Sequence, residues 1–165
     1  RPFTFLKFRS MQVGADSLKS QLAPFNEMDG PAFKMTNDPR VTPLGRWLRR
    51  TSLDELPQLW NILLGDMSFV GPRPAVVEEV RQYEPWQRKR FDVVPGITGL
   101  WQVNGKNRTS FTDMMRYDIS YAYKRNFYLD TAILLKTIPA IIEQVTYNKK
   151  SNPEEIANEK CAKYA

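Results

Sequence analysis

The sequence predicts an α+β domain, mostly helical and compact, with a small antiparallel β element. Three observations carry this expectation. The chain has 165 residues, 42% hydrophobic and 25% charged, which suits one globular core rather than a disordered chain. Apolar residues recur at helical spacing in several segments. The extended runs are short and few.

The elements follow in order. Phe3 to Phe8 is rich in aromatics and partly alternating, which predicts a strand. Asp16 to Leu22 predicts a short helix, and Pro24 to Pro39 a loop rich in Pro and Asp. Thr42 suits an N-cap and Pro43 a first helical residue. In the helix they open, Leu44, Trp47 and Leu48 share one face, expected in the core. Arg46, Arg49 and Arg50 share the other. A second helix is expected from Thr51-Ser52, with Leu53, Leu56, Trp60 and Leu63 at helical spacing and Gly65-Asp66 as its end. Ser68 to Val70 is extended and leads to the stiff turn Gly71-Pro72-Arg73-Pro74. Val76 to Tyr83 and Trp86 to Phe91 read as helices, and Pro95 to Val103 as a turn and a short strand. Phe111 to Lys124 and Leu129 to Val145 read as the last two helices. The final one has an apolar stripe of Leu134, Ile138, Ile141, Ile142 and Val145, and a kink at Pro139. Residues 1–147 form the expected domain and 148–165 a polar tail.

Charge and missing residue types narrow the chemistry. There are 24 Lys+Arg against 18 Asp+Glu, a formal charge of +6, which favours an anionic partner. No apolar run approaches the roughly 20 residues needed to cross a bilayer. With no His, a Ser-His triad, a His base and a His-ligated metal are excluded. The single Cys161 makes no intrachain disulfide and no Cys-rich zinc site. Carboxylates, Lys, Arg, Tyr, hydroxyls and a hard metal such as Mg²⁺ remain.

Four constellations are candidates for that chemistry. In Arg49-Arg50-Thr51-Ser52-Leu53-Asp54-Glu55, Ser52 and Glu55 have the spacing of a capping box, which needs no function. The same residues suit phosphate binding at a helix N-terminus, with forked hydrogen bonds from the two arginines. Such a setting favours a carboxylate anion able to attack phosphorus or bind Mg²⁺. Local sequence leaves both readings open. In the second constellation, two prolines fix the backbone around Arg73, as a phosphate-binding arginine or an ordinary surface turn would need. In the third, Lys7 and Arg9 share one face of the predicted first strand, which a plain basic edge also explains. In the fourth, Trp47 with its leucines opposite arginines suits either a membrane surface or core packing; Trp86 to Phe91 has the same two readings.

Taken together and in order, these segments resemble the bacterial sugar transferase family, the monotopic polyprenyl-phosphate phosphoglycosyl transferases. The matching stretches are Lys7-Phe8-Arg9-Ser10-Met11, Asp38 to Gly45, Arg50 to Leu59, Gly65 to Pro74, Pro95 to Gly99 and the Leu129-Asp130 helix. The resemblance covers roughly residues 1–145.

The resemblance implies transfer of a sugar 1-phosphate from a nucleotide sugar, usually UDP-linked, to undecaprenyl phosphate, with release of UMP. It implies Asp54 as nucleophile and Glu55 as the partner that helps hold Mg²⁺, with Asp54 also at the metal. Arg73 and Arg49 are implied phosphate contacts, and Lys7 and Arg9 match a further motif. Asn107, Arg108 and Asp118 fall where family members carry polar residues near the site. The implied location is the cytoplasmic face of the bacterial inner membrane. A membrane-inserted helix expected ahead of Arg1 has no counterpart in these residues. The expected partners are the nucleotide-sugar donor, the polyprenyl phosphate acceptor and the membrane surface, with self-association left open. Two other functions compete: an idle membrane-surface scaffold, and a nucleic-acid binder drawn by the +6 charge. The second lacks any helix-turn-helix, RNA-binding or zinc-finger signature.

Overall fold

A computed structural model describes residues 1–104 and 109–150, with side chains to Val145. The element order is a 3₁₀ turn at Ala15–Leu18, α1 (Lys19–Leu22), a 3₁₀ turn at Ala23–Phe25, α2 (Pro43–Thr51), a 3₁₀ turn at Leu53–Glu55, α3 (Gln58–Leu63) and β1 (Ser68–Val70). Then follow α4 (Val77–Val80), a 3₁₀ turn at Gln87–Asp92, β2 (Gly96–Thr98), α5 (Leu100–Asn104), α6 (Phe111–Lys124) and α7 (Phe127–Lys150). Among the described residues no helix is long and apolar enough to cross a membrane.

Most of the helical expectation holds. Thr42 caps α2 by accepting the Gly45 N–H at 2.9 Å, and Pro43 opens the helix. Ser110 caps α6 through the Asp113 N–H in the same way. Helix α7 runs on through Pro139 and reaches Lys150, three residues into the expected tail; residues 151–165 lie outside the described residues.

The β element is a correction. The two-stranded sheet is parallel, not antiparallel, with Ser68 opposite Gly96 and Val70 opposite Thr98. Residues 71–95 connect the strands through α4 and the 87–92 turn. A connection of that length lets the chain return to start a parallel partner, whereas a tight hairpin would give an antiparallel one. The antiparallel pairing among the described residues is one isolated bridge, Met11 to Val41. Phe3 to Phe8 forms no regular strand among the described residues, and Leu100 to Val103 is helical rather than a strand.

Two apolar clusters hold the domain. Tyr83, Trp101, Phe111, Met114 and Met115 form one, between α5, α6 and the α4 segment. Val70, Val93, Tyr121 and Ile133 form the other, where α6 and α7 cover the sheet. Of α7, therefore, Ile133 enters the core. The expected stripe residues Leu134, Ile138 and Ile142 are exposed. Leu44 and Trp47, expected in the core, are exposed as well, as are Leu59, Trp60, Leu63 and Leu64 of α3 and its end.

Candidate active site

The carboxylates sit in a tight corner rather than at the start of a long helix. Ser52 ends α2 in the left-handed region, at φ 57°. A non-glycine residue rarely adopts that conformation, and it turns the chain sharply. Asp54 and Glu55 then occupy a single 3₁₀ turn before α3 begins at Gln58. The capping-box reading fails, because the Ser52 side chain makes no capping hydrogen bond. The helix-dipole reading loses its support too, since α3 begins three residues later and is short.

The corner separates the two acids. Asp54 is 2% exposed, whereas the Glu55 carboxylate reaches toward Arg73. Lys7 joins them: its Nζ lies 2.9 Å from Asp54 Oδ2 and 3.2 Å from Glu55 Oε1. Arg73 Nη1 lies 3.5 Å from the same Glu55 oxygen. All four residues line one cleft of 1410 Å³, and so does Arg49. Three cations thus stand against two carboxylates, leaving a net positive site for a multiply charged anion.

Long-range contacts deliver these groups. The Phe8 N–H donates to the Asp54 carbonyl at 2.9 Å, which docks the Lys7 segment against the corner. Asn61 of α3 holds the segment further back, accepting from the Leu6 N–H and donating to the Thr4 carbonyl. The Ser10 carbonyl accepts the Thr42 N–H, and the close approach of Gly45 to that carbonyl has no room for a Cβ. Arg49 Nε donates to Ser10 Oγ at 2.8 Å, and burial pushes its pKa down from the usual arginine range. Beside it, Arg40 and Asp38 form a buried pair at 2.7 Å, with Arg40 holding the Asp38 carboxyl below its ordinary value.

Arg50 goes elsewhere: it donates to the Val145 carbonyl and ties α2 to α7. Arg9 is exposed and forms no ion pair with Asp54 or Glu55; of Lys7 and Arg9, Lys7 is the one in the cleft. Asp118 is buried on α6 against Arg90, outside the cleft lining. Asn107 and Arg108 lie outside the described residues. Ser10, Asn61 and Arg90 escape sequence reading. Each is defined by a contact far along the chain, and only their closeness to recognisable motifs hints at them.

Among the described residues no group of three acidic, His or Cys side chains forms a metal cage. Two adjacent carboxylates at a cleft wall still fit Mg²⁺, which commonly takes one or two carboxylates and completes its shell with substrate phosphates and water.

A buried carboxylate corner facing a net-positive cleft on a helical domain is suited to a multiply charged anionic ligand. The chain belongs to the bacterial sugar transferase family, whose model matches residues 1–144. It is 44% identical over 143 residues to the galactosyl transferase CpsE of Streptococcus agalactiae, covering 86% of this chain and 32% of that protein. It is 42% identical over 146 residues to the undecaprenyl-phosphate galactose phosphotransferase of Salmonella typhimurium, covering 86% of this chain and 31% of that protein. It is also 38% identical over 151 residues to the UDP-glucose:undecaprenyl-phosphate glucose-1-phosphate transferase of Caulobacter vibrioides, covering 86% and 52% respectively. The chain therefore spans about a third of the first of these relatives.

Proposed function

We propose that this chain is the catalytic part of a phosphoglycosyl transferase that moves a sugar 1-phosphate from a UDP-sugar to undecaprenyl phosphate. The observation that carries this reading is the buried Asp54, beside Glu55, at a cleft lined by Lys7, Arg49 and Arg73. The names of the Salmonella and Caulobacter relatives support the donor and acceptor classes.

The chemistry follows from the roles. An Asp54 oxygen attacks the phosphorus next to the sugar, and the bridging P–O bond breaks with its electron pair going to UMP. An aspartyl-phosphosugar remains. A phosphate oxygen of the lipid acceptor then attacks the same phosphorus, the bond to Asp54 breaks, and the carboxylate is restored. Lys7 offsets the charge of both acids, so an anionic donor can approach. Arg73 and Arg49 bind its phosphate oxygens, as phosphoryl transfer requires positioning and charge neutralisation above all. Glu55, with Asp54, would hold Mg²⁺, which neutralises charge on the diphosphate when bound.

The exposed apolar side chains of α2, α3 and α7 support a location on a membrane surface, where the acceptor lies. The cytoplasmic face of the bacterial inner membrane fits a soluble UDP-sugar donor. The step would be the first membrane reaction of exopolysaccharide, O-antigen or glycoprotein glycan assembly.

The test is a panel of UDP-sugars with undecaprenyl phosphate, read as UMP release, with mass spectrometry for a phosphosugar adduct on Asp54. Full turnover by Asp54→Asn would sink the nucleophile role. An inactive wild type across the panel would sink the reaction.

A further inference from the structure

We propose that Arg90 and Asp118 are positioning residues for Arg73: a buried pair that fixes the proline-flanked turn from behind. This rests on the reading of Arg73 as a contact to the donor's diphosphate.

The backbone of the turn states the problem. Pro72 and Pro74 have no N–H, so neither side of Arg73 can be tied down by its own amide. The turn is held from outside. The Gly71 N–H donates to the Thr98 carbonyl at 2.9 Å, and the Gly96 N–H donates to the Pro72 carbonyl at 2.9 Å. Those two bonds fix the end of β1. The carbonyl of Arg73 itself accepts from Arg90 Nη2 at 2.6 Å. That third bond sets the peptide from which the Arg73 side chain leaves for Glu55.

Arginine suits the task because its planar fork aims several donors in fixed directions. Arg90 Nη1 donates to the Tyr83 hydroxyl at 2.9 Å, and Nη2 also lies 2.6 Å from Asp118 Oδ2. The Tyr83 and Phe91 rings each sit 5.9 Å from its guanidinium carbon. Arg90 is 2% exposed and Asp118 1%. Burying such a pair costs the hydration of both charges, and apolar residues of similar volume often fill such space at no loss of stability. A gain in stability is thus a poor reason for it, whereas a rigid anchor for one carbonyl is a good one. Asp118 lies outside the cleft lining, so its route to the chemistry runs through Arg90.

A double-mutant cycle on the full-length protein tests this, at a temperature where circular dichroism shows every variant folded. Asp118→Asn alone should lower kcat/KM for the donor by about 10- to 100-fold, the range expected for a catalytic group displaced by about an ångström. In an Arg73→Ala background it should cost almost nothing more. Equal losses in both backgrounds overturn the proposal. Arg90→Lys keeps the charge but loses the fork, and should behave like Asp118→Asn. If Asp118→Asn does not fold, Tyr83→Phe replaces it in the same cycle with a loss of about threefold, and additivity again counts against the proposal.

A second readout needs no turnover. Nitrogen-15 relaxation of the Arg73 Nε–H should show lower order in Asp118→Asn, with Arg49 unchanged. Unchanged Arg73 order overturns the proposal. A wild type that releases no UMP sinks the transferase reading alone, and the relaxation measurement still decides this one.

Discussion

The ammonium of Lys7 lies 2.9 Å from Oδ2 of Asp54, a carboxylate almost wholly withdrawn from solvent. The pair joins the first segment of the chain to the corner after α2, at the point where the proposed chemistry takes place.

Lys7→Ala should therefore act on both. It leaves the buried Asp54 without its cation, at a cost of about 1–3 kcal/mol in stability. It also removes the charge that admits an anionic donor, and kcat/KM should fall about 100-fold. In an Asp54→Asn background the stability cost should largely vanish. Urea melts of the four proteins check this; an undiminished cost would mean that Lys7 stabilises the fold by other contacts.

Gly45→Ala should loosen the same segment from behind. A Cβ at this position would overlap the Ser10 carbonyl, which is backbone and has little room to yield. The expected loss is about 1–3 kcal/mol, typical of overpacking. Lys7 should then lie less firmly against Asp54, so activity should fall well beyond the fraction of unfolded protein. Activity per folded molecule, measured below the melting range, decides whether the second effect exists.

Metal dependence should report on Glu55. Chelation with EDTA should abolish UMP release and added Mg²⁺ restore it. Glu55→Gln should raise the Mg²⁺ concentration for half-maximal activity by about tenfold or more. Retained wild-type Mg²⁺ dependence in Glu55→Gln would remove Glu55 from the metal.

The pH profile should carry the mark of Asp118. Burial pushes this carboxyl from an ordinary 3.8 up to about 6, against the opposing pull of Arg90 and Arg73. The folded state thus binds this proton more tightly than the unfolded state. Its contribution is most favourable below about pH 4 and is lost as pH rises to about 6, on the order of 3 kcal/mol. Activity should run the other way, because a neutral Asp118 holds Arg90 less well. Wild-type kcat/KM should drop as pH falls through about 6 while Asp118 contributes more to stability; Asp118→Asn should lack both trends. Urea midpoints and kcat/KM between about pH 4 and 8 measure them.

Membrane attachment should depend on α3. Trp60 and Leu63 are 59% and 76% exposed, so charging them should alter stability by no more than about 0.5 kcal/mol. Loss of a buried Leu or Trp from a lipid contact costs about 1.5–3 kcal/mol. Trp60→Glu and Leu63→Glu should each weaken binding to anionic vesicles by about tenfold or more. Unchanged partitioning in a flotation assay would move the contact to another face.

Sequence by itself determined the local features. Thr42-Pro43 opens α2, and the span Phe111–Lys124 is the helix its periodicity predicts. It also determined the basic balance, the absence of His, and the motif order that marks the family. These are properties of neighbours along the chain, where capping and helical spacing act. Tertiary structure decided the rest. Periodicity shows that Leu44 and Trp47 share a face, but not that this face stays exposed among the described residues. It cannot choose Lys7 over Arg9, because that choice is made by Asp54 and Glu55, the latter 48 positions away. Nor can it tell that the two strands run parallel, that Ser52 turns left-handed instead of capping a helix, or that Asp118 pairs with the Arg90 that holds the Arg73 carbonyl. Burial, register and charge pairing depend on which distant segments meet, and only the packed chain specifies that.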